Sequence, residues 1–275
     1  METPTALGLI AGNGVYPQLL AQSARRAGVS RIVAAAFLGE TDAKLTGVVD
    51  EIEWMRVGQL GRLTKYFAGA GIRQAIMAGQ IAPKNLFEFR PDVKALLVLA
   101  RLKQRNAESL FSAIAVELAK VGVELLPATR FMDEYLATAG LIAGRALTRR
   151  EEADVEFGFT IAKEVSRLDI GQTVIVKGGT VVAVEAFEGT NEAIRRGGAL
   201  ARKDAIVIKV SKPNQDLRFD VPVIGAETVR IAAESKVRVI AVEANRTLLL
   251  EKEAVIASAP LTGVSLVGCG TQPAF

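Results

Sequence analysis

Short apolar runs alternate with amphipathic stretches through the first half of the chain. Residues 7–11 read as a buried strand, Gly12-Asn13-Gly14 as a turn, and residues 17–27 as a helix. The same logic predicts strands over 32–37 and 74–78 and a helix over 60–70. A further helix is expected over 108–121, where Leu110, Ile114 and Leu118 recur at four-residue spacing before Gly122, and a strand resumes over 123–126. Strand and helix in alternation imply a parallel sheet.

From about 132 to 148 the pattern weakens, broken by Gly140 and Gly144, and Arg149, Arg150, Glu151 and Glu152 form a charged patch. Beyond it, 155–168 reads as a helix and VIVKGGTVVAVEA as two strands joined through Lys177, Gly178 and Gly179, a hairpin signal. Strands over 206–210 and 237–242 and a helix over 227–235 complete a mixed pattern. The fold class expected is therefore α/β: a Rossmann-like parallel-sheet domain over 1–134, a linker over 135–149, and a mixed α/β domain over 150–275. Ala-Val-Glu-Ala occurs at 183–186 and again at 241–244, too short a match to establish a repeat.

Composition narrows the chemistry. Histidine is absent and Cys269 is the single cysteine, so histidine-ligated zinc and Ser-His-Asp or Cys-His nucleophiles are excluded. Any metal must be held by carboxylates, carbonyls and water, which favours Mg²⁺ or Mn²⁺. A formal charge of +4 suits an anionic partner, but 5% aromatics and no dense Lys/Arg tract argue against nucleic acid. The 275 residues contain no apolar run long enough to span a bilayer, and METPTALGLI lacks a basic n-region, so a cytoplasmic protein is expected.

Two regions hold candidate chemistry. Gly12-Asn13-Gly14 follows a predicted strand and precedes a helix, the context in which glycines let backbone N–H groups approach a phosphate; Gly79-Gln80 would face the same sheet edge. Pro17 stands where a dinucleotide fingerprint carries glycine or alanine, while Glu40 is placed to reach a ribose hydroxyl. The second region is KVSKPNQDLRFDVP, where Pro213 and Pro222 stiffen a loop that presents Lys212, Arg218 and Asp220. Hydrolysis of a diphosphate needs neutralised oxygens and a positioned water. Mg²⁺ held by Asp220 with Glu185 or Glu188, together with Lys212 and Arg218, would supply both. Gln172, Glu188, Gly189, Thr190, Lys209 and Gln215 join Gly12, Asn13, Gly14, Gly79 and Gln80 as candidate substrate contacts. Surface pairing is the plain alternative for Glu185, as strand-edge solvation is for Lys209 and Gln215.

GLIAGNGVYP, AGQIAPKNLF, RLDIGQ, VEAFEGTN, KPNQ and RFDVPVIG occur in that order along nearly the whole chain. Together they resemble the LpxI-type UDP-2,3-diacylglucosamine pyrophosphatases of lipid A biosynthesis. The resemblance implies metal-dependent hydrolysis of UDP-2,3-diacylglucosamine to UMP and 2,3-diacylglucosamine 1-phosphate, with water attacking the uridine-side phosphorus. It also implies substrate held between an N-terminal Rossmann-like domain and a distinct C-terminal one, and Asp220 matches the family's essential aspartate. Two strings depart from it: Gln104-Arg105-Asn106-Ala107-Glu108 replaces a Lys-Gly-Asp-Asp run, and Asn191 replaces an aspartate after Glu188-Gly189-Thr190. The expected partner is the lipid-linked UDP-sugar; peripheral contact with the cytoplasmic face of the inner membrane and a homodimer are both compatible with it. The apolar cluster over 86–101 reads as a core helix with a basic outer face, lipid contact being the alternative. Rival functions are a nicotinamide-dependent oxidoreductase, resting on Gly12, Gly14 and Glu40, and a non-catalytic nucleotide-binding regulator.

Overall fold

A computed structural model describes residues 2–81, 91–102, 107–213 and 215–270. The chain forms two compact units, one of residues 1–133 with 216–220, the other of residues 134–215 with 221–275. The first contains a parallel sheet, the second a mixed sheet, as expected for the fold class.

In the first unit, β1 (Ala6–Ala11), β2 (Arg31–Phe37), β3 (Glu51–Met55), β4 (Gln74–Ala78) and β5 (Glu124–Leu125) form one sheet in the order β3-β2-β1-β4-β5. Every pairing is parallel. β1 and β2 are buried along nearly their full length, which a parallel sheet covered on both faces requires. Helices α1 (Tyr16–Arg26), α2 (Leu60–Gly69), α3 (Val93–Arg101) and α4 (Ala107–Ala119) belong to this unit. Phe67, Ile72, Leu118 and Val123 lie in its core beside Val33 and Ala75. In α3, Ala95 and Val98 face that core, and Lys94 pairs with Glu117 at 3.1 Å. Val93, Leu96 and Leu97 are exposed along with Ala100 and Arg101, so the outer face of this helix is mostly apolar rather than the basic one expected. Lys84, Leu86, Phe87, Phe89 and Arg90 of that cluster lie outside the described residues.

The second unit's sheet runs in the order β6-β13-β11-β9-β7-β8. Its strands are β6 (Gly140–Ala143), β7 (Thr173–Lys177), β8 (Thr180–Val184), β9 (Ala205–Lys209), β11 (Val237–Glu243) and β13 (Ser265–Cys269); β10 (Val223–Ile224) pairs with β12 (Leu248–Leu249) apart from it. β9, β11 and β13 are parallel, whereas β6 and the β7–β8 hairpin run antiparallel to their neighbours. Helix α5 (Arg149–Arg167) packs Val155, Phe159 and Ala162 on one face with Val174, Ile206 and Ile208. Helices α6 (Thr190–Ala201), α7 (Ala226–Glu234) and α8 (Lys252–Leu261) contribute to the core on the other.

Residues 135–149, expected as a linker, include β6, which pairs with β13 at the edge of this sheet. The charged patch at 149–152 is the first turn of α5, not a boundary. Thr148 accepts from the Glu151 amide while the Glu151 carboxylate accepts from the Thr148 amide, a reciprocal cap that starts the helix earlier than expected. Arg145 beside Glu151 holds that carboxyl down at about 2.

Candidate active site

β1 and β4 end side by side at the point where the first sheet's strand order reverses, the place where open α/β sheets bind ligands. Here the two glycine loops meet one another. The Gly12 amide donates to the Ala78 carbonyl at 2.7 Å, and the Asn13 amide to the Gln80 carbonyl at 2.7 Å. A Cβ on Gly12 would lie 2.6 Å from the Gln80 oxygen, and one on Gly79, at φ +90°, 2.6 Å from the Asn13 oxygen. Backbone contact between the loops therefore explains these two glycines. Gly14, at φ +86° with open space around it, and the exposed Asn13 and Gln80 form the accessible rim. Glu40 is 6% exposed, and Thr41 binds the Ala11 carbonyl at 2.5 Å, tying the ends of β1 and β2 together.

Residues 216–220 were expected with the second domain, but they belong to the first unit. The Ala128 amide donates to the Leu217 carbonyl at 2.6 Å, and the Ala128 carbonyl accepts from the buried Tyr16 hydroxyl at the start of α1. Phe219 stacks on Phe111 with ring centroids 5.6 Å apart and packs against the first unit's core. The Asp220 amide closes a turn onto the Asp216 carbonyl at 3.2 Å. Arg218 donates to Asp216 from Nε at 2.9 Å and Nη2 at 2.5 Å. That guanidinium holds the Asp216 carboxyl below the usual range. Arg218 and Asp220 are thus parts of one unit and Lys212 of the other, although all three lie on one short stretch of sequence.

In the second unit, the carboxyl ends of β8 and β9 and the start of α6 meet. Thr190, the first residue of α6, donates to Glu185 Oε1 at 2.9 Å and accepts from Lys209 Nζ at 2.9 Å. Lys209 also donates to the Val223 carbonyl at 3.0 Å. Lys209 is 5% exposed and Glu185 7% exposed, so the surface alternatives for both are set aside by burial. Glu185 Oε2, Gln172 Oε1 and Gln215 Nε2 are buried without a hydrogen-bond partner among the described residues. Such atoms are costly unless a ligand or water meets them. Gln215 Oε1 accepts from the Lys212 amide at 2.7 Å, and Lys212 Nζ pairs with Asp169.

Glu188 is differently engaged. Its carboxylate pairs with Arg196 and accepts from the Ala186 amide at 3.0 Å, and the Arg196 pairing draws its carboxyl below the usual range. Gly189 adopts φ +83° ahead of α6, and Asn191 accepts from Thr228 at 3.3 Å. Among the described residues no group of three or more His, Cys, Asp or Glu stands together as a metal cage. Oxygen donors in small number still suit Mg²⁺, which keeps several waters and takes other ligands from substrate phosphates. Asn214 and the 104–106 departure lie outside the described residues.

Sequence reasoning missed a neighbouring cluster. Glu243, the last residue of β11, accepts from Lys163 Nζ at 2.6 Å and from the Ser211 amide and hydroxyl at 2.8 and 2.7 Å. The twice-occurring Ala-Val-Glu-Ala was a usable signal, since each copy sets its glutamate at the carboxyl end of a strand. Burial, with the Glu243 carboxylate adding to it, pushes the nearby Cys269 thiol up to about 11.

Two family models match most of the chain: an LpxI N-terminal domain matches residues 6–135 and an LpxI C-terminal domain residues 138–267. This chain belongs to the LpxI family. It is 31% identical over 279 residues to a Caulobacter vibrioides protein named UDP-2,3-diacylglucosamine pyrophosphatase LpxI, with 97% of this chain and 98% of that one covered. That relative is, by its name, a hydrolase. Membership in this family leaves the nicotinamide reading resting on Gly12, Gly14 and Glu40 alone, and the first two of those sit in a turn closed by backbone contact. Among the described residues no helix is long and apolar enough to cross a membrane.

Proposed function

We propose that this member of the LpxI family hydrolyses UDP-2,3-diacylglucosamine to UMP and 2,3-diacylglucosamine 1-phosphate in lipid A biosynthesis. The observation that carries this is full-length similarity to a relative named for that substrate. Water adds to the uridine-side phosphorus, the bond from that phosphorus to the bridging oxygen breaks, and the sugar phosphate departs.

Asp220 orients the attacking water. The turn from Asp216 and the anchoring of Leu217 and Phe219 support this role, because they fix the backbone on which the carboxylate is carried. Lys212 and Arg218 stabilise charge on the departing phosphate. Each is held by a carboxylate, so phosphate must displace Asp169 from Lys212 and Asp216 from Arg218. Gln172, Gln215 and the Lys209–Thr190–Glu185 chain are the polar groups that the second unit offers a substrate, and Asn13, Gly14 and Gln80 are the accessible rim of the first unit's own sheet edge.

Mg²⁺ or Mn²⁺ suits oxygen donors of this kind, and Asp220 in the first unit or Glu185 in the second is a carboxylate that would hold it. When bound, the ion neutralises phosphate oxygens. Glu188, already paired with Arg196, is the weaker candidate. The protein is expected to act in the cytoplasm.

Incubation with UDP-2,3-diacylglucosamine and Mg²⁺ tests the proposal. UMP release that stops in excess EDTA and returns with Mg²⁺ or Mn²⁺ is the expected result. Full turnover after dialysis into EDTA contradicts the metal requirement, and binding without UMP release contradicts the reaction.

A further inference from the structure

The Lys163–Ser211–Glu243 cluster lies beside the candidate site without belonging to it. Three donors converge on one oxygen of Glu243, whose residue is 1% exposed: Lys163 Nζ, the Ser211 amide and the Ser211 hydroxyl. Lys163 Nζ also donates to the Ser211 carbonyl at 2.9 Å. Both backbone groups of Ser211 are therefore held by an oppositely charged pair that reaches it from α5 and β11. Arg246 lies 3.8 Å from the second Glu243 oxygen and completes the charge around it.

Glu243 is buried and Lys163 partly so, and an ion pair with a buried partner is a poor source of stability, because desolvation offsets much of its attraction. Specificity of position is what such a cluster supplies. Ser211 lies two residues past the end of β9 and directly precedes Lys212. Lys212 is held next, through its amide by Gln215 and through its ammonium by Asp169, which lies just past the end of α5. Helix α5 and the turn that follows it thus supply one hold each on this loop.

We propose that Lys163 and Glu243 are positioning residues that clamp the Ser211 backbone and thereby set where Lys212 meets the diphosphate. The inference rests on the proposed hydrolysis.

The test is a double-mutant cycle on the full chain with UDP-2,3-diacylglucosamine as substrate. Lys163→Met is expected to lower kcat by about tenfold with KM little changed, the mark of a lost transition-state contact. Lys163→Arg, which keeps a donor for both Ser211 and Glu243, restores most of that loss. Lys163→Met added to Lys212→Ala costs no more than Lys212→Ala alone, since positioning is worthless once the positioned group is gone. Losses that multiply, or a Lys212→Ala variant as active as wild type, overturn the inference. Where Lys163→Met does not fold, Glu243→Gln, of equal volume, takes its place in the cycle with the same expected and opposing outcomes. Wild-type protein that releases no UMP refutes the proposed reaction instead, and the two failures are told apart by that control.

Discussion

The carboxyl edges of the two sheets are built from different materials. In the first unit the edge at Gly12 and Gly79 is backbone joined to backbone: two loops bonded to each other, with glycines where a side chain would collide. In the second unit the edge is made of buried and half-buried charged and hydroxyl side chains, with Lys209, Thr190 and Glu185 in one chain and Lys163, Ser211 and Glu243 in another. A backbone edge tolerates little change of shape and offers little charge. A side-chain edge can neutralise phosphate but needs every polar atom satisfied. The first unit gains its charged chemistry from elsewhere in the chain, through residues 216–220, which bring Arg218 and Asp220 onto it.

Removing that acquired chemistry should have the largest effect. Asp220→Ala is expected to lower kcat by at least about a hundredfold while substrate binding survives, as loss of a group acting in the transition state does. A folded variant that keeps more than about a tenth of wild-type kcat, a loss under roughly 1.4 kcal/mol, contradicts the role.

The backbone edge comes next. Gly79→Ala forces a side chain into a left-handed position and against the Asn13 carbonyl, and should cost about 2 kcal/mol or more in chemical unfolding. Gly14→Ala, strained in φ but with open space, should cost about 1 kcal/mol. Equal costs at the two positions would deny that the loops are packed on each other.

The side-chain edge should show a smaller loss of stability than Gly79→Ala. Thr190→Val keeps the shape but breaks the link between Lys209 and Glu185, costing about 1 kcal/mol. Its effect on kcat/KM should exceed its effect on stability. A variant that loses stability without losing activity would make the chain a structural feature alone.

The alternation of apolar runs was enough to read the parallel sheet, because strands buried on both faces leave an uninterrupted signature in sequence. β3 was harder. Its Glu51 and Glu53 alternate with Ile52 and Trp54, an edge-strand pattern set among charges. Helix α6 contains Gly197 and Gly198, and α8 carries Pro260 in its last turn, so both lacked the usual helical composition. Of the candidate site, Glu185, Thr190 and Lys209 were legible as polar residues beside strand ends, and their burial in one network was not. That residues 216–220 leave one unit for the other is invisible to local pattern, because it depends on Phe219 finding Phe111 more than a hundred positions away. Asp169 and Asp216, which hold Lys212 and Arg218, were likewise hidden among ordinary surface charges.

The central claim is that water attacks the uridine-side phosphorus of a UDP-sugar. Running the reaction in ¹⁸O-enriched water and weighing both products tests it directly. The account predicts the label in UMP and none in the 2,3-diacylglucosamine 1-phosphate. Label in the sugar phosphate would place the nucleophile on the other phosphorus and contradict the roles assigned here to Asp220, Lys212 and Arg218.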